Sequence, residues 1–447
     1  MRSVRPVRGL VAAPSAAMKI LLINNHSLDN AGDHAILIET LRVLERAFPG
    51  AQIGLSFNDV ASAQVSLPGH PIYQAPLGWF LRLNGRRGYD LLPRWQRLLL
   101  LAAVLLAALA CRLGLPLPAL PPAREQIRLL RAYAEADLVL ACGGGYIYAP
   151  GPHEGIAGVF NLTLLGCLLA ALIGRPLVLL PQSIGPLHDE QQRRAVRLVL
   201  RHARLAVVRE RQSLRLLEQL GCAGRALLAP DLAFGMPAAT DDEAARLLAR
   251  WLPRDPAPAF LVGVTALNWS GQSYSFDRQA QYEAALLGCI DAIAAQGGAV
   301  VLFPQCTGPS DAEDDRLVSA RLRDRARDPQ RVVLLDEPLP PALLQAAYAR
   351  MDYFIGTRMH SVILALNAGV PALAIGYLHK TSGMLEALGL EARCLDIATI
   401  SAEQLIDAFA DLRWQPEQPA VAPFLARARR FKAALPPLLH AAQERHG

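Results

Sequence analysis

The chain has 447 residues, 52% hydrophobic and 19% charged, which is enough for two domains with separate cores and too apolar for a disordered chain. The net charge of +6 is almost all arginine: three lysines (Lys19, Lys380, Lys432) leave 42 Arg among the 45 basic residues. With no zinc-finger spacing, no aromatic RNP-like segment and no dense basic run, this charge reads as a solvated surface suited to anionic substrates or lipid headgroups, and nucleic acid is not expected as a partner.

Seven cysteines without a CxxC pair fit free thiols in a reducing compartment. Ten histidines show no HExxH and no finger-like grouping, so no metal is expected. At the start, Gly9–Ala13 is too short an apolar stretch for a signal peptide, and residues 1–17 read as a disordered tail.

In chain order the pattern alternates strand and helix. Lys19–Asn24 is a short buried strand, Asp33–Phe48 has helical spacing ended by Pro49-Gly50, and Ile53–Phe57 is a second strand. Residues 94–120 interrupt this rhythm. Fourteen uncharged residues, Leu98–Cys111, follow Arg94-Trp95-Gln96-Arg97 and end at Arg112, which is too short to span a bilayer. A buried core helix, an interfacial or re-entrant membrane anchor and a partner-binding helix compete for this segment. Its flanking Arg and Trp and its all-round apolar surface fit peripheral membrane contact. Pro116, Pro118, Pro121 and Pro122 then make a stiff connector.

The alternation resumes with the strand Asp137–Ala141, the helix Asn161–Ile173, the strands Pro176–Leu180 and Leu205–Val208, and the helix Ser213–Leu220 capped by Gly221. Pro253, Pro256 and Pro258 punctuate a linker. Strands at Phe260–Thr265, Ala299–Phe303, Arg331–Leu335, Tyr353–Ile355 and Ala372–Ile375 follow, separated by helices. Continuous apolar strands between helices predict parallel sheets covered on both faces. The reading is α/β: two Rossmann-like domains, 18–235 with the insert 94–120 and 259–395, facing a cleft, then C-terminal helices over 396–447. Open sheets of this kind bind ligands at their strand C-termini.

Five segments fall at such ends. Asn30-Ala31-Gly32-Asp33 is a tight turn whose Asp33 can cap the helix; it is either a plain βα turn or a place where Asn30 and free helix N–H groups meet a ligand. Gly143-Gly144-Gly145 leaves backbone N–H groups open to close approach and matches neither a P-loop nor GxGxxG. Gln182 and Ser183 close the strand Pro176–Leu180. Arg209 leaves the next strand either as a surface charge or as a fork for a carboxylate or phosphate, with Glu210 and Ser213 placed to cap the following helix.

The fifth run is the most informative. Asp352 to Lys380 reads as one βαβ unit, so Thr357, Arg358 and His360 at one strand end and Lys380 just past the next open on the same sheet edge. A cation, a helix N-terminus and a group that titrates near neutrality at one point suit an anionic substrate beside a proton-transfer residue. A lone histidine is otherwise most often a helix-start residue with satisfied hydrogen bonds. That Lys380 is one of only three lysines argues that a compact ammonium is wanted there.

Taken in order and spacing, Asn30-x-Gly32-Asp33, Gly143–Gly145, Gln182-Ser-Ile-Gly185-Pro186, Arg209-Glu210-x-x-Ser213 and Gly356-x-Arg358-x-His360 through Gly369-x-Pro371 to Lys380 resemble the polysaccharide pyruvyl transferases, over about Met18 to Gly389. The resemblance implies two Rossmann-like halves in a GT-B-like arrangement. It implies transfer of pyruvate from phosphoenolpyruvate to a sugar of a cell-surface polysaccharide or its lipid-linked precursor, often as a cyclic ketal, with no cofactor beyond that donor. The family's key histidine falls on His360, and its donor-binding cations on Lys380 and Arg209. The insert 94–120 departs from a minimal member and favours a lipid-linked acceptor. The expected location is the cytoplasm, at the inner face of the membrane if the insert binds lipid. A nucleotide-sugar glycosyltransferase of GT-B type and a non-catalytic membrane-associated assembly protein are the competing readings.

Overall fold

The computed structural model describes residues 17–83, 89–116, 124–149, 151, 155–252, 257–273 and 276–444. Most of the N-terminal tail, the connector beyond Pro116 and most of the linker Pro253–Pro258 lie outside those residues.

Two parallel sheets carry the chain. In the first, β1 (Lys19–Asn25) is central, flanked by β2 (Gln52–Phe57) and β3 (Ile72–Gln74) on one side. A small antiparallel pair, β4 (Leu81–Leu83) and β5 (Tyr89–Leu91), stands apart. On the other side of β1 come β6 (Leu138–Ala141), β8 (Leu177–Ile184), β9 (Ala203–Val208) and β10 (Ala226–Leu228). The short β7 (Gly144–Ile147) pairs with the far end of β8, Gly144 opposite Gln182. The second sheet runs β13 (Val332–Leu334), β12 (Ala299–Leu302), β11 (Leu261–Thr265), β14 (Tyr353–Gly356), β15 (Ala372–Gly376) and β16 (Cys394–Asp396), every pair parallel.

Central strands such as Leu138–Ala141 are buried along their whole length, as continuous apolar runs in a sheet covered on both faces must be. Two differences from the sequence reading matter for the cleft. The strand after Pro176 runs to Ile184, so Gln182 and Ser183 are inside it and buried rather than on a turn. The glycine triplet does not stay an open loop, because β7 borrows the end of β8 for pairing.

A single apolar core joins the two halves. Ile20, Leu22 and Leu44 of the first share it with Phe303, Phe354 and Leu364 of the second and with Phe424 and Leu435 of the final helix. That helix, Val421–Glu444, crosses back to the first half, where Lys432 forms a buried ion pair with Glu39 of the helix Ala31–Ala47. Burial lowers the Lys432 pKa, with the hydrogen bond and charge of Glu39 acting against that trend. A shared core and a strap of this kind fix the width of the cleft.

The helix after Pro93 is Arg94–Arg112, 19 residues, longer than its uncharged stretch. Leu101, Val104, Ala107 and Ala108 pack inward, at the i, i+3, i+6/i+7 spacing of one helical face. Leu99, Leu106 and Leu113 stay 62–67% exposed on the other. Among the described residues it is the one helix long and apolar enough to cross a membrane.

Candidate active site

The C-terminal edges of both sheets face a cavity of about 360 Å³. Asn30, Asp33, Gly143, Gly144, Gly145, Arg358 and Lys380, all singled out in the sequence, line it. So do residues the sequence did not mark: His26 and Glu313 at its mouth, and Tyr148, Trp269 and Tyr377 on its wall. Trp269 and Tyr377 lie with ring centroids 4.5 Å apart, and Lys380 Nζ is 5.3 Å from the Tyr377 ring centre.

Arg209 and His360 lie behind this wall. Arg209 leaves β9 with its side chain 4% exposed. Its Nε donates to Ser183 Oγ at 2.7 Å and its Nη1 to Asp231 Oδ2 at 2.5 Å. Its Nη2 is buried and finds no partner among the described residues. A methyl group on Gly145 would sit 3.0 Å from that Nη2, 3.5 Å from Lys380 Cδ and 3.7 Å from Lys380 Nζ, so both cations converge on one glycine. Gly145 is thus a place where a side chain would fill the space between them.

His360 enters from the second half, on the first turn of the helix Met359–Asn367, with 12% of its side chain exposed. Its Nε2 lies 3.7 Å from Asp231 Oδ2 and has no closer acceptor. Its ring rests against Gly32, where an added Cβ would come within 2.2 Å of Nδ1. Burial pushes the Asp231 pKa up, but the His360 imidazole facing it at 3.7 Å and the charge of Arg209 outweigh this and hold it well below the usual carboxylate range. Asp231 therefore stays ionised and orients one histidine and one arginine from opposite halves. Sequence reasoning missed it because β10 is only three residues long and its partners are 22 and 129 positions away; the Pro230-Asp231 step after a short apolar run was the available signal.

His379 was also missed, although it precedes Lys380. Its Nε2 is buried, 3.8 Å from Glu210 Oε1, without a hydrogen bond among the described residues. Burial, then Lys380 and Arg209, push its pKa down to about 4. Burial keeps this imidazole neutral, and the two cations beside it add to that in the same direction.

Several sequence expectations change. Asn30, not Asp33, caps the helix Ala31–Ala47: its side chain accepts from the N–H groups of Gly32 and Asp33, and Ala31 donates to Gln305 O, so that helix start offers no free N–H to a ligand. Thr357 cannot contact a donor, since its hydroxyl is bonded to Tyr282 at 2.7 Å and its N–H to Thr265. Arg358 borders the cavity but grips Asp315 through Nε and Nη2. Burial works against its charge and Asp315 outweighs that, so the guanidinium stays charged and braced. Gln182 donates to Cys142 O, and Ser183 links Arg209 to Glu210, so both act on the cleft from beneath. Glu210 stands at the N-cap of the helix Arg211–Gln219, but neither its side chain nor that of Ser213 makes a capping bond. They bond to each other, and Ser213 also takes the N–H of Ile184 at 2.7 Å.

Comparison with known proteins agrees with this architecture. The amylovoran biosynthesis protein AmsJ of Erwinia amylovora is 28% identical over 402 residues, 87% of this chain and 90% of that one. Anabaena Alr3699/HepE, solved with UDP-glucose, superposes with a TM-score of 0.54 at 15% identity, covering 95% of this chain and 98% of its own. The UDP-GlcNAc 2-epimerase of Methanocaldococcus jannaschii does so at 0.54 and 11%, covering 94% and 99%. At these identities the structural likeness speaks for the fold alone, two Rossmann-like domains in a GT-B-like arrangement. The family model described as polysaccharide pyruvyl transferase matches residues 30–379, a span that holds Arg209, Asp231 and His360 and ends one residue before Lys380, and the chain belongs to the polysaccharide pyruvyl transferase family.

Proposed function

We propose that this transferase moves pyruvate from phosphoenolpyruvate to a sugar of a cell-surface polysaccharide, or of its lipid-linked precursor, and closes a pyruvate ketal. One observation carries the reading: Arg209 Nη2, buried and without a partner, meets Lys380 at Gly145 beside the Asp231–His360 pair. A small dianion bearing a phosphate and a carboxylate suits two cations of different shape, a guanidinium fork and a compact ammonium. The role of AmsJ in amylovoran biosynthesis supports a polysaccharide acceptor. The half-buried Trp269 and Tyr377 on the cavity wall give that sugar a flat apolar face to rest on.

In this reaction a proton adds to the enol CH₂ carbon and makes it a methyl group. An acceptor hydroxyl bonds to the adjacent carbon, and the bond from that carbon to the phosphate oxygen breaks. A second hydroxyl then closes the ketal. Of the two hydroxyl protons, one balances the proton on the methyl group and the other leaves with phosphate. His360, held by Asp231, is the proton carrier. Arg209, fixed by Asp231 and Ser183, and Lys380 neutralise the donor and the departing phosphate.

Phosphate release from phosphoenolpyruvate, measured across a panel of lipid-linked and nucleotide-linked sugars, tests this. Release with at least one acceptor, abolished in His360→Ala with an unchanged circular dichroism spectrum, is expected. Wild-type turnover in His360→Ala overturns the assignment of His360. Thermal stabilisation by UDP-glucose and none by phosphoenolpyruvate would move the reading to glycosyl transfer.

A further inference from the structure

Outside the cleft, the outer surface of the helix Arg94–Arg112 is an exposed apolar feature without a role in the reaction. We infer that this helix lies flat on an anionic bilayer and docks the enzyme there. Its inner face, Leu101, Val104, Ala107 and Ala108, belongs to the core against the helix Val159–Ile173. Spanning a membrane would strip that face from its core, whereas lying in the interface leaves it in place.

Trp95, Leu99, Leu106 and Leu113 are 62–67% exposed along one side, and across a groove of about 720 Å³ Ile156 and Leu198 add to the same surface at 66% and 56%. A continuous exposed apolar strip of this kind marks an interaction site. Charge selects its occupant. The helix has Arg94 at one end and Arg112 at the other, with no acidic residue between; Arg97 turns inward onto Ala157 O, and Arg194 on the groove rim is paired with Glu190. A second copy laid face to face would set arginine against arginine in either orientation, because no carboxylate on the helix can answer it. Anionic headgroups supply the missing counter-charge, and Trp95 beside Arg94 suits the headgroup level.

The position has a consequence for the acceptor. Leu162 lines both this outer groove and the cleft cavity. The helix Val159–Ile173 stands between, so a bilayer held against the outer face of Arg94–Arg112 lies about two helix diameters, roughly 20 Å, from the cavity wall. A sugar at the end of a lipid carrier could then extend to the cleft while the lipid stays in the membrane. Docking does not depend on which donor the enzyme uses.

Flotation of the full chain with vesicles of phosphatidylglycerol and phosphatidylcholine, against vesicles of phosphatidylcholine alone, tests it. The protein should float with the anionic vesicles and bind neutral ones about tenfold more weakly. Leu99→Glu/Leu106→Glu, at exposed positions, should lose about tenfold in binding with an unchanged melting curve. If that variant misfolds, Leu99→Gln/Leu106→Gln serves the same purpose. Arg94→Gln/Arg112→Gln should lose the preference for anionic lipid. Wild-type protein that stays unbound to both vesicles, or apolar-face variants that float as well as wild type, overturn the inference. So does a dimer in solution that those variants dissolve.

Discussion

At the mouth of the cleft, His26 of the first half meets Glu313 of the second at 2.8 Å, with side chains 41% and 23% exposed. At its floor, Arg209 and Asp231 of the first half meet His360 of the second with side chains 4%, 3% and 12% exposed. Both contacts join the halves by charge, but water reaches only one. Solvent screens the first and makes it cheap to lose, while the second cannot lose one partner without leaving the other charged and dry. The cleft thus has a soft mouth and a hard floor, and the residues proposed for chemistry sit on the hard side.

The largest effect should come from the floor. Asp231→Ala leaves the Arg209 guanidinium without its buried counter-charge and His360 without its orienting acceptor. The expected cost is about 3–5 kcal/mol in urea unfolding. A loss under about 1 kcal/mol would mean that water enters the floor as freely as the mouth, and the contrast would disappear.

Gly32→Ala comes next, and it separates position from stability. The new methyl group must push the His360 ring aside, while alanine suits a helix better than glycine. Phosphate release should fall on the order of 100-fold, as for a catalytic group displaced by about 1 Å, with a smaller loss of stability than in Asp231→Ala, since the methyl group also meets His360 Cβ at 2.7 Å. An unchanged rate would show that the imidazole is not held in working position by Gly32.

How far could these residues be read without coordinates? His360 and Lys380 were legible because β14 and β15 are consecutive strands of one βαβ unit, and the right-handed crossover rule puts their ends on one edge. Arg209 was legible as a strand-end cation, but its unpartnered Nη2 was not. Asp231 stayed hidden because its meaning comes from two long-range partners, and sequence periodicity carries no such information. Thr357 was misread for the opposite reason: it stands at the right strand end, yet the buried hydroxyl of Tyr282 claims its side chain. Asn30 and Asp33 could not be told apart as caps, since either suits the start of a helix and only the backbone path decides. The exposed face of Arg94–Arg112 was visible as composition, but which side the core would claim was not.

A smaller change tests where the two cations meet. Gly145→Ala puts a methyl group 3.0 Å from Arg209 Nη2 and 3.5 Å from Lys380 Cδ. Arg209 is pinned by Ser183 and Asp231 and can yield little. The KM for phosphoenolpyruvate should rise about tenfold, on the order of 1.4 kcal/mol of donor binding, with kcat changed less. A fall in kcat alone would place Gly145 against the acceptor instead.

The smallest effect belongs to the mouth, and it depends on pH. Burial lowers the His26 pKa, but the hydrogen bond and charge of Glu313, with Asp33 and Asp59, more than reverse this and bring it up to about 9. An unfolded histidine titrates near 6.5. Stability from a raised pKa is complete below the unfolded value and disappears as pH climbs through the folded one. The His26–Glu313 contact should therefore hold fully at pH 6 and weaken between about 6.5 and 9. Because His26 is 41% exposed, screening keeps the total within about 1 kcal/mol. Melting curves of wild type and His26→Gln should differ most at pH 6 and converge by about pH 9.5. A difference that grows with pH would reverse the sign, and would mean that His26 is neutral where it meets Glu313.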